Sequence, residues 1–318
     1  MASTSTTMSG CMGTDKPLIS ILMAVYEPRI DWLREQLVSL NEQTYPNLRL
    51  YIRDDCSPTV SYEQIQSCVQ DCITHFPYTI TRSEKNLGSN GTFELLTREA
   101  EGVLFAYCDQ DDVWLPEKLT VLQAAMERER AVLAYSDVSA VDDEGKLLAR
   151  SLRELRPRLT YLEGSDLAPK LFFRNCVAGC AMLVDGDIAK KAAPFPRQTV
   201  CDHWIALLAA TEGMVSFVPD QLIRYRQHKR NQTGVLAGVS DKQSYLRYKV
   251  APLEERLTCY RQHTVPQEEI EAFARARIDG HIIKIWKHRA LAPHEAEFEI
   301  AAHLLPDAVV RRILRRIK

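Results

Sequence analysis

The stretch "YCDQDDVWLPEKL" (107–119) sets three carboxylates, Asp109, Asp111 and Asp112, into four positions directly behind an apolar run. Carboxylates this crowded repel one another, and a fold accommodates them only where a cation or a dense hydrogen-bond network compensates. A divalent cation is the economical answer. Oxygen-only ligation, with one or two carboxylates and the remainder from phosphates and water, suits Mg²⁺ or Mn²⁺. On an extended strand, alternation sends Asp109 and Asp111 to one side and Gln110 and Asp112 to the other. That pair could divide its work, Asp111 on the metal and Asp109 on a sugar hydroxyl. Asp112, a few residues ahead of Pro116, stands where a helix cap is expected.

Such a cluster needs a rigid sheet rim beneath it. Apolar runs at 18–26, 48–54, 78–83, 103–109 and 131–137 alternate with amphipathic segments at 30–43, 61–75, 89–100 and 116–130. This is the pattern of an α/β fold, a mostly parallel central sheet flanked by helices. Three of the runs end in Asp, and another ends at Tyr26-Glu27. Ligands of open α/β sheets bind at the carboxyl ends of the strands, so these residues are expected to converge on one crevice. Further on, "VDDEGK" (141–146) has hairpin-turn chemistry and "GCAMLV" (179–184) reads as a buried strand. A helix is expected to start at Asp202, followed by two strands in "MVSFV" and "LIRYRQH". Gly, Asn and Ser cluster in 228–240, which reads as a linker, and charged helical segments follow from about 241.

Composition narrows the class. With 318 residues, 46% apolar and 26% charged, the chain can bury a sizeable core as an ordinary globular protein. Its 40 basic residues nearly cancel 42 acidic ones, for a net charge of -2, which argues against nucleic acid as a partner. The nine cysteines include no CxxC pair and no histidine at zinc-finger spacing, so a reducing cytoplasm and small buried thiols are expected. Residues 1–16 are rich in Ser and Thr, lack an apolar segment and read as a disordered leader. No apolar stretch approaches the ~20 residues that span a bilayer.

The ordered set "ISILMAVYE", "LRLYIRDDCS", "KNLGSNGTF" and "YCDQDDVWLPEKL" resembles the inverting family 2 glycosyltransferases, whose A-type fold carries a DxD metal motif on the fourth strand. The resemblance covers roughly residues 17 to 235. Within that family, "AYSDVSAVDDEGK", "GCAMLV", "CDHWIALLA" and "YRQH" are most similar to bacterial rhamnosyltransferases of surface polysaccharide assembly. The resemblance implies a nucleotide-sugar half (17–137), an acceptor half (138–238) and a C-terminal helical region (239–318). It implies a nucleotide-sugar donor, dTDP-rhamnose or a UDP-sugar such as a UDP-hexose, and a glycan or lipid-linked glycan acceptor. On the donor side, Ala24, Val25 and Tyr26 would frame the nucleotide base, with Glu27 at the rim. Asp54 or Asp55, with Asp55 favoured, would accept the N3–H of uracil or thymine. Lys85, Asn86 and Gly88 would lie along the nucleotide, and Asp109, Gln110 and Asp111 at the donor sugar and metal. Taken without the family, Asp54-Asp55 reads as a turn start and "NLGSNG" as a loop.

Transfer also needs a carboxylate to take the acceptor proton, and the resemblance implies Asp202 for that task. Gly179, His203 and Trp204 would stand on the acceptor side, although His203 should face away from Asp202 along a helix and Trp204 suits a core equally well. Arg226 and His228, two apart on a strand, share a face and could reach the diphosphate or the metal, with His228 completing a set with Asp109 and Asp111. "DAVVRRILRRIK" alternates apolar and basic residues and could touch an anionic membrane peripherally, although most such helices pack on their own protein. Two rivals remain. One is a haloacid dehalogenase-type phosphatase using "LFAYCDQDDV", a motif that normally opens the first strand of its domain. The other is a protein that binds nucleotide sugars without catalysis.

Overall fold

The computed structural model describes residues 16–228 and 238–317. The expected leader, apart from Lys16, and most of the expected linker lie outside these residues. The first third alternates as expected: β1 (Ile19–Val25), α1 (Ile30–Asn41), β2 (Leu48–Asp54), α2 (Tyr62–Cys72), β3 (Tyr78–Arg82), α3 (Gly88–Glu99) and β4 (Leu104–Cys108). β1 and β4 are near-continuous apolar runs because helices cover both faces of the sheet, and in β1 only Ala24 escapes full burial. β3, β2, β1 and β4 pair in parallel, which brings their carboxyl ends to one rim. α2 is fixed at its start by a capping box between Ser61 and Gln64.

The next segment departs from expectation. Residues 113–114 form a two-residue strand, β5 (Val113–Trp114), antiparallel to a later strand, and α4 (Lys118–Glu129) begins after Pro116 with no side-chain cap. Asp112 is therefore not a helix cap. β6 (Ala131–Val141) turns through Asp142–Lys146 into β7 (Leu147–Ala149), the expected hairpin, with Asp142 Oδ1 accepting the Glu144 and Lys146 amides.

Three short helices follow, α5 (Leu152–Leu155), α6 (Ala168–Leu171) and α7 (Gly186–Lys191). Before α7 the expected strand at 179–184 splits into a 3-10 turn at Gly179–Ala181 and β8 (Met182–Asp185). α8 (Cys201–Glu212) leads into β9 (Met214–Arg226), a single bent strand where two were expected, since the Pro219-Asp220 step is a register shift against β6 and not a reversal. The completed mixed sheet runs β3-β2-β1-β4-β8-β6-β9-β5, with β7 beside β6 and β8 antiparallel to both neighbours.

α8 is apolar almost all round, and every residue except Asp202, Thr211 and Glu212 is buried. Such a helix is a core element, and its N-terminal turn presents Asp202 at the surface of that core. The C-terminal helices are α9 (Lys242–Tyr245), α10 (Pro252–His263), α11 (Glu268–Ile278), α12 (Ile282–Lys287), α13 (Pro293–Leu304) and α14 (Asp307–Ile317). They share one apolar cluster with α8, in which Trp204, Phe172, Leu253, Tyr260, Phe273 and Leu314 are all buried. A buried pair, Arg277 Nη2 to Glu299 Oε1 at 2.6 Å, is joined by the Tyr245 hydroxyl at 3.0 Å. Val310 and Leu314 of α14 are 1% exposed and pack on the protein, whereas Val309 is 41% exposed. No helix among the described residues is long and apolar enough to cross a membrane.

Candidate active site

The chain leaves β4 at Cys108, so residues 109–112 form a bend and strand alternation does not govern them. Each acidic side chain finds a different environment. Asp109 and Asp112 carry oxygens that lie, with the Cys180 sulfur, within 4.8 Å of one another. Asp111 Oδ2 is 2.7 Å from His228 Nε2, which makes those two residues neighbours on the outer side of the bend. Asp112 is fully buried; its Oδ1 accepts the Arg226 amide at 2.9 Å, while Oδ2 has no donor beyond the nearby thiol. Gln110 clamps the bend to the end of β1, accepting from Tyr26 N at 2.8 Å and donating to Tyr26 O at 3.0 Å.

Arg226 is 2% exposed and braces this corner from within. Its Nε donates to Asp111 O at 2.9 Å, Nη1 to the carbonyls of Asp142 and Asp143, and Nη2 to Glu35 Oε2 at 2.5 Å, with Trp32 stacked against it. The structure thus turns this guanidinium toward protein carbonyls, and a direct approach to a diphosphate is not what its geometry offers. Trp32 also lies 5.1 Å from the His228 ring.

On the donor side, Tyr26 is 44% exposed at the end of β1, whereas Val25 is buried beneath it. Glu27, at φ 46°, ties the 57–60 loop to this rim through Thr59 N at 2.7 Å and Val60 N at 3.1 Å. Asp54 is wholly buried, accepting from Ser57 N and Oγ and facing Arg82 Nε at 3.3 Å, as a turn start would. Asp55 holds Leu87 N and Gly88 N, both at 2.8 Å, and so anchors the loop that carries the exposed Lys85 and Asn86. Gly88 suits this loop because its φ is +73°, a backbone conformation that L side chains rarely adopt. The third Asp-ended run does not join the crevice. Asp137 lies inside β6 and bonds the Tyr161 hydroxyl and Leu152 N.

Asp202 is held by three donors. Its Oδ1 accepts Asn175 Nδ2 at 3.1 Å and the His203 amide, and its Oδ2 accepts Gly179 N at 3.1 Å. A Cβ on Gly179 would stand 3.2 Å from Asp202 Cβ, so the two backbones approach closely. Asn90, in the first turn of α3, reaches across to the approach to α8: Nδ2 donates to Pro196 O and Thr199 O, and Oδ1 accepts Cys201 N at 3.0 Å. His203 and Trp204 belong to the core. His203 is 6% exposed with Nε2 on Leu171 O, burial and Arg256 push its pKa down to about 3, and Trp204 donates to Ala192 O while fully buried. Neither presents a face to an acceptor, which corrects the expectation for both.

Electrostatics join the two halves. Burial, then the charges of Asp111 and Asp202, raises the Asp109 pKa to about 7. Asp112 is raised strongly, chiefly by burial and then by its acidic neighbours. Burial raises Asp202 to about 6 against the lowering effect of its three donors. Asp112 Oδ2 is undonated, and among the described residues Asp109, Asp112 and Cys180 form the group whose atoms could hold a metal ion, while Asp111 pairs with His228. The inner group with the Cys180 sulfur is too soft and too enclosed for Mg²⁺.

Sequence reasoning did not single out Trp32, Glu35, Asn90, Lys118 or Asn175, and it read Cys180 only as a small buried thiol. Asn175 and Lys118 had a readable signal, a polar residue inside an apolar stretch.

The family model "Glycosyl transferase family 2" matches residues 20–187. An uncharacterized glycosyltransferase of Methanocaldococcus jannaschii is 26% identical over 221 residues, 68% of this chain and 73% of that protein. The dTDP-rhamnosyl transferase RfbG of Shigella flexneri is 25% identical over 240 residues, 71% of this chain and 77% of that one. Longer glycosyltransferases of Rickettsia bellii and Rickettsia felis are spanned over only 18% and 21% of their length. In fold, the chain is similar to S. aureus TarS 1–349 crystallised with UDP-GlcNAc, with a TM-score of 0.55 at 14% identity, covering 92% of this chain and 89% of that chain.

Proposed function

The chain belongs to glycosyl transferase family 2, and from that premise we propose that it is an inverting transferase moving L-rhamnose from dTDP-rhamnose to a hydroxyl of a glycan or lipid-linked glycan in surface polysaccharide synthesis. The observation that carries the mechanism is the turn Gly179–Ala181, whose Cys180 sulfur stands with Asp109 of the donor half and whose Gly179 amide donates to Asp202 of the acceptor half. The likeness to RfbG supports the choice of sugar. The phosphatase rival loses its footing, since Asp109 follows the fourth strand and not the first.

In this reading the nucleotide base lies over the end of β1 against the exposed Tyr26, within reach of the Asp55 carboxylate, and Lys85 and Asn86 flank it. Asp202 accepts the proton of the attacking hydroxyl. As the new bond from that oxygen to C1 forms, the C1–O bond to the diphosphate breaks, its electron pair leaves with the nucleoside diphosphate, and C1 inverts. Asp202 suits the task because burial lifts its pKa to about 6, which makes it a stronger base than a free aspartate while leaving it ionised at neutral pH. Mg²⁺ or Mn²⁺ held by Asp109, Asp111 and His228 would neutralise charge developing on the leaving diphosphate.

The test is a thermal-shift panel of dTDP-rhamnose and UDP-hexoses with and without Mn²⁺, because a ligand that binds the folded form raises its melting temperature. The largest Mn²⁺-dependent shift is expected with dTDP-rhamnose, with dTDP as product. Stabilisation by UDP-hexoses alone would overturn the rhamnose assignment, and none by any nucleotide sugar would overturn the whole reading.

A further inference from the structure

Lys118 opens α4 and should, on a surface helix, point its ammonium into water. It is instead fully buried. Its Nζ donates to Cys180 O at 2.6 Å and sits 2.9 Å from the centroid of the Trp114 ring. Burial pulls its pKa down to about 7, against the raising effect of Cys180, Cys108, Asp112 and Asp109. Taking an ammonium out of water costs several kcal/mol even after relaxation, and a methionine of similar volume would fill the space without that penalty. The compensation here is twofold: a hydrogen bond to the Cys180 carbonyl and the aromatic face of Trp114.

The carbonyl it grips belongs to the 3-10 turn Gly179–Ala181. One turn therefore touches both halves of the site. Its Cys180 sulfur stands with Asp109 and Asp112, and its Gly179 amide donates to Asp202. We propose that Lys118 is a positioning residue of the transfer reaction, a buried ammonium that fixes the Cys180 carbonyl under the acidic bend and thereby holds the Gly179 N–H on Asp202. The proposal rests on Asp202 being the base. Lys118 itself touches no substrate; it sets the spacing between the donor-side carboxylates and the base, and small displacements of a base cost rate before they cost donor affinity.

The experiment compares K118M, K118R and G179A in the full chain. Turnover is read as dTDP release from dTDP-rhamnose with an octyl rhamnoside as acceptor, and affinity as the Kd of dTDP with MnCl2 by calorimetry. K118M is expected to lose 10- to 100-fold in kcat, the usual range for removing an outer partner of a site, with Kd within about threefold of the parent. K118R, which keeps charge and donors, is expected to turn over at least about fivefold faster than K118M. G179A, whose added Cβ would meet Asp202 at 3.2 Å, should show the same split with Lys118 intact, so a K118M that does not fold moves the decision to K118R and G179A. Parental kcat in a folded K118M or in G179A overturns the proposal. So does a Kd that weakens in step with kcat, or a K118R no better than K118M. An active D202N would sink the base reading instead, whereas an inactive D202N beside a fully active K118M sinks the Lys118 assignment alone.

Discussion

Replacing Asp202 with asparagine separates the chemistry of this site from its stability, because the two should move in opposite directions. A positioned general base contributes about 10²–10⁴ in rate, or ~3–5 kcal/mol of barrier, and D202N should lose that much kcat while binding dTDP normally. Stability follows from linkage. Burial holds Asp202 at about 6 in the folded chain, above the 3.8 of a free aspartate. The folded state thus binds this proton more tightly, and the stability gained below the unfolded pKa is lost as pH rises from about 4 to about 6. At neutral pH the ionised carboxylate costs the fold roughly 3 kcal/mol, from about two pKa units at 1.36 kcal/mol each. Asparagine removes that cost but turns its NH2 toward one of the three donors now facing Asp202, forfeiting about 1 kcal/mol. D202N should therefore melt at or above the parent at pH 7, while dTDP release from dTDP-rhamnose falls at least about 100-fold. In the parent, kcat should fall below pH 6, to about a tenth at pH 5, as the base is protonated. Retention of more than a tenth of kcat in D202N, or an acid limb near pH 4, would refute the assignment of Asp202.

Chelation with EDTA should abolish turnover and MnCl2 restore it, with H228A needing ~10–100 times more Mn²⁺ for the same dTDP-dependent thermal shift; turnover indifferent to EDTA would remove the cation from the reading. R226M strips partners from three carbonyls and Glu35 and should cost about 3–5 kcal/mol in urea unfolding. A stable R226M that binds dTDP poorly would return Arg226 to the diphosphate. N90A releases Pro196, Thr199 and Cys201 and should lower kcat about tenfold or more with little change in the Km for dTDP-rhamnose; an equal rise in Km would place Asn90 in the donor pocket.

The fold was readable where its cause is local. The runs that became β1, β2 and β4 are apolar because two layers of helices cover them, and their order with the intervening helices leaves a parallel sheet as the natural solution. Elements fixed by distant pairing were not readable. β5 is two residues long and exists because Val113 and Trp114 meet Arg224 and Ile223 across the sheet; no periodicity can show in two residues, so Pro116 drew the helix start too early and Asp112 into a capping role. The bend at 109–112 likewise breaks the alternation that paired Asp109 with Asp111.

The same distinction divides the site. Residue type and spacing mark out carboxylates, because charge at a strand end needs a reason that the local chain does not supply. They do not reveal what holds those carboxylates, since the partners come from other elements: Arg226 from β9 on Asp112, and Asn175 and Gly179 from the segment before β8 on Asp202. Lys118, like Asn175, could have been found. It stands four residues before Leu122 and seven before Ala125, on the buried stripe of α4, and a lysine in an apolar stripe either snorkels to water or meets an internal anion. With "DQDD" only a few residues upstream, an internal partner was the better inference, and from it follows a supporting layer beneath the acidic bend that reaches Asp202 through the Gly179–Ala181 turn.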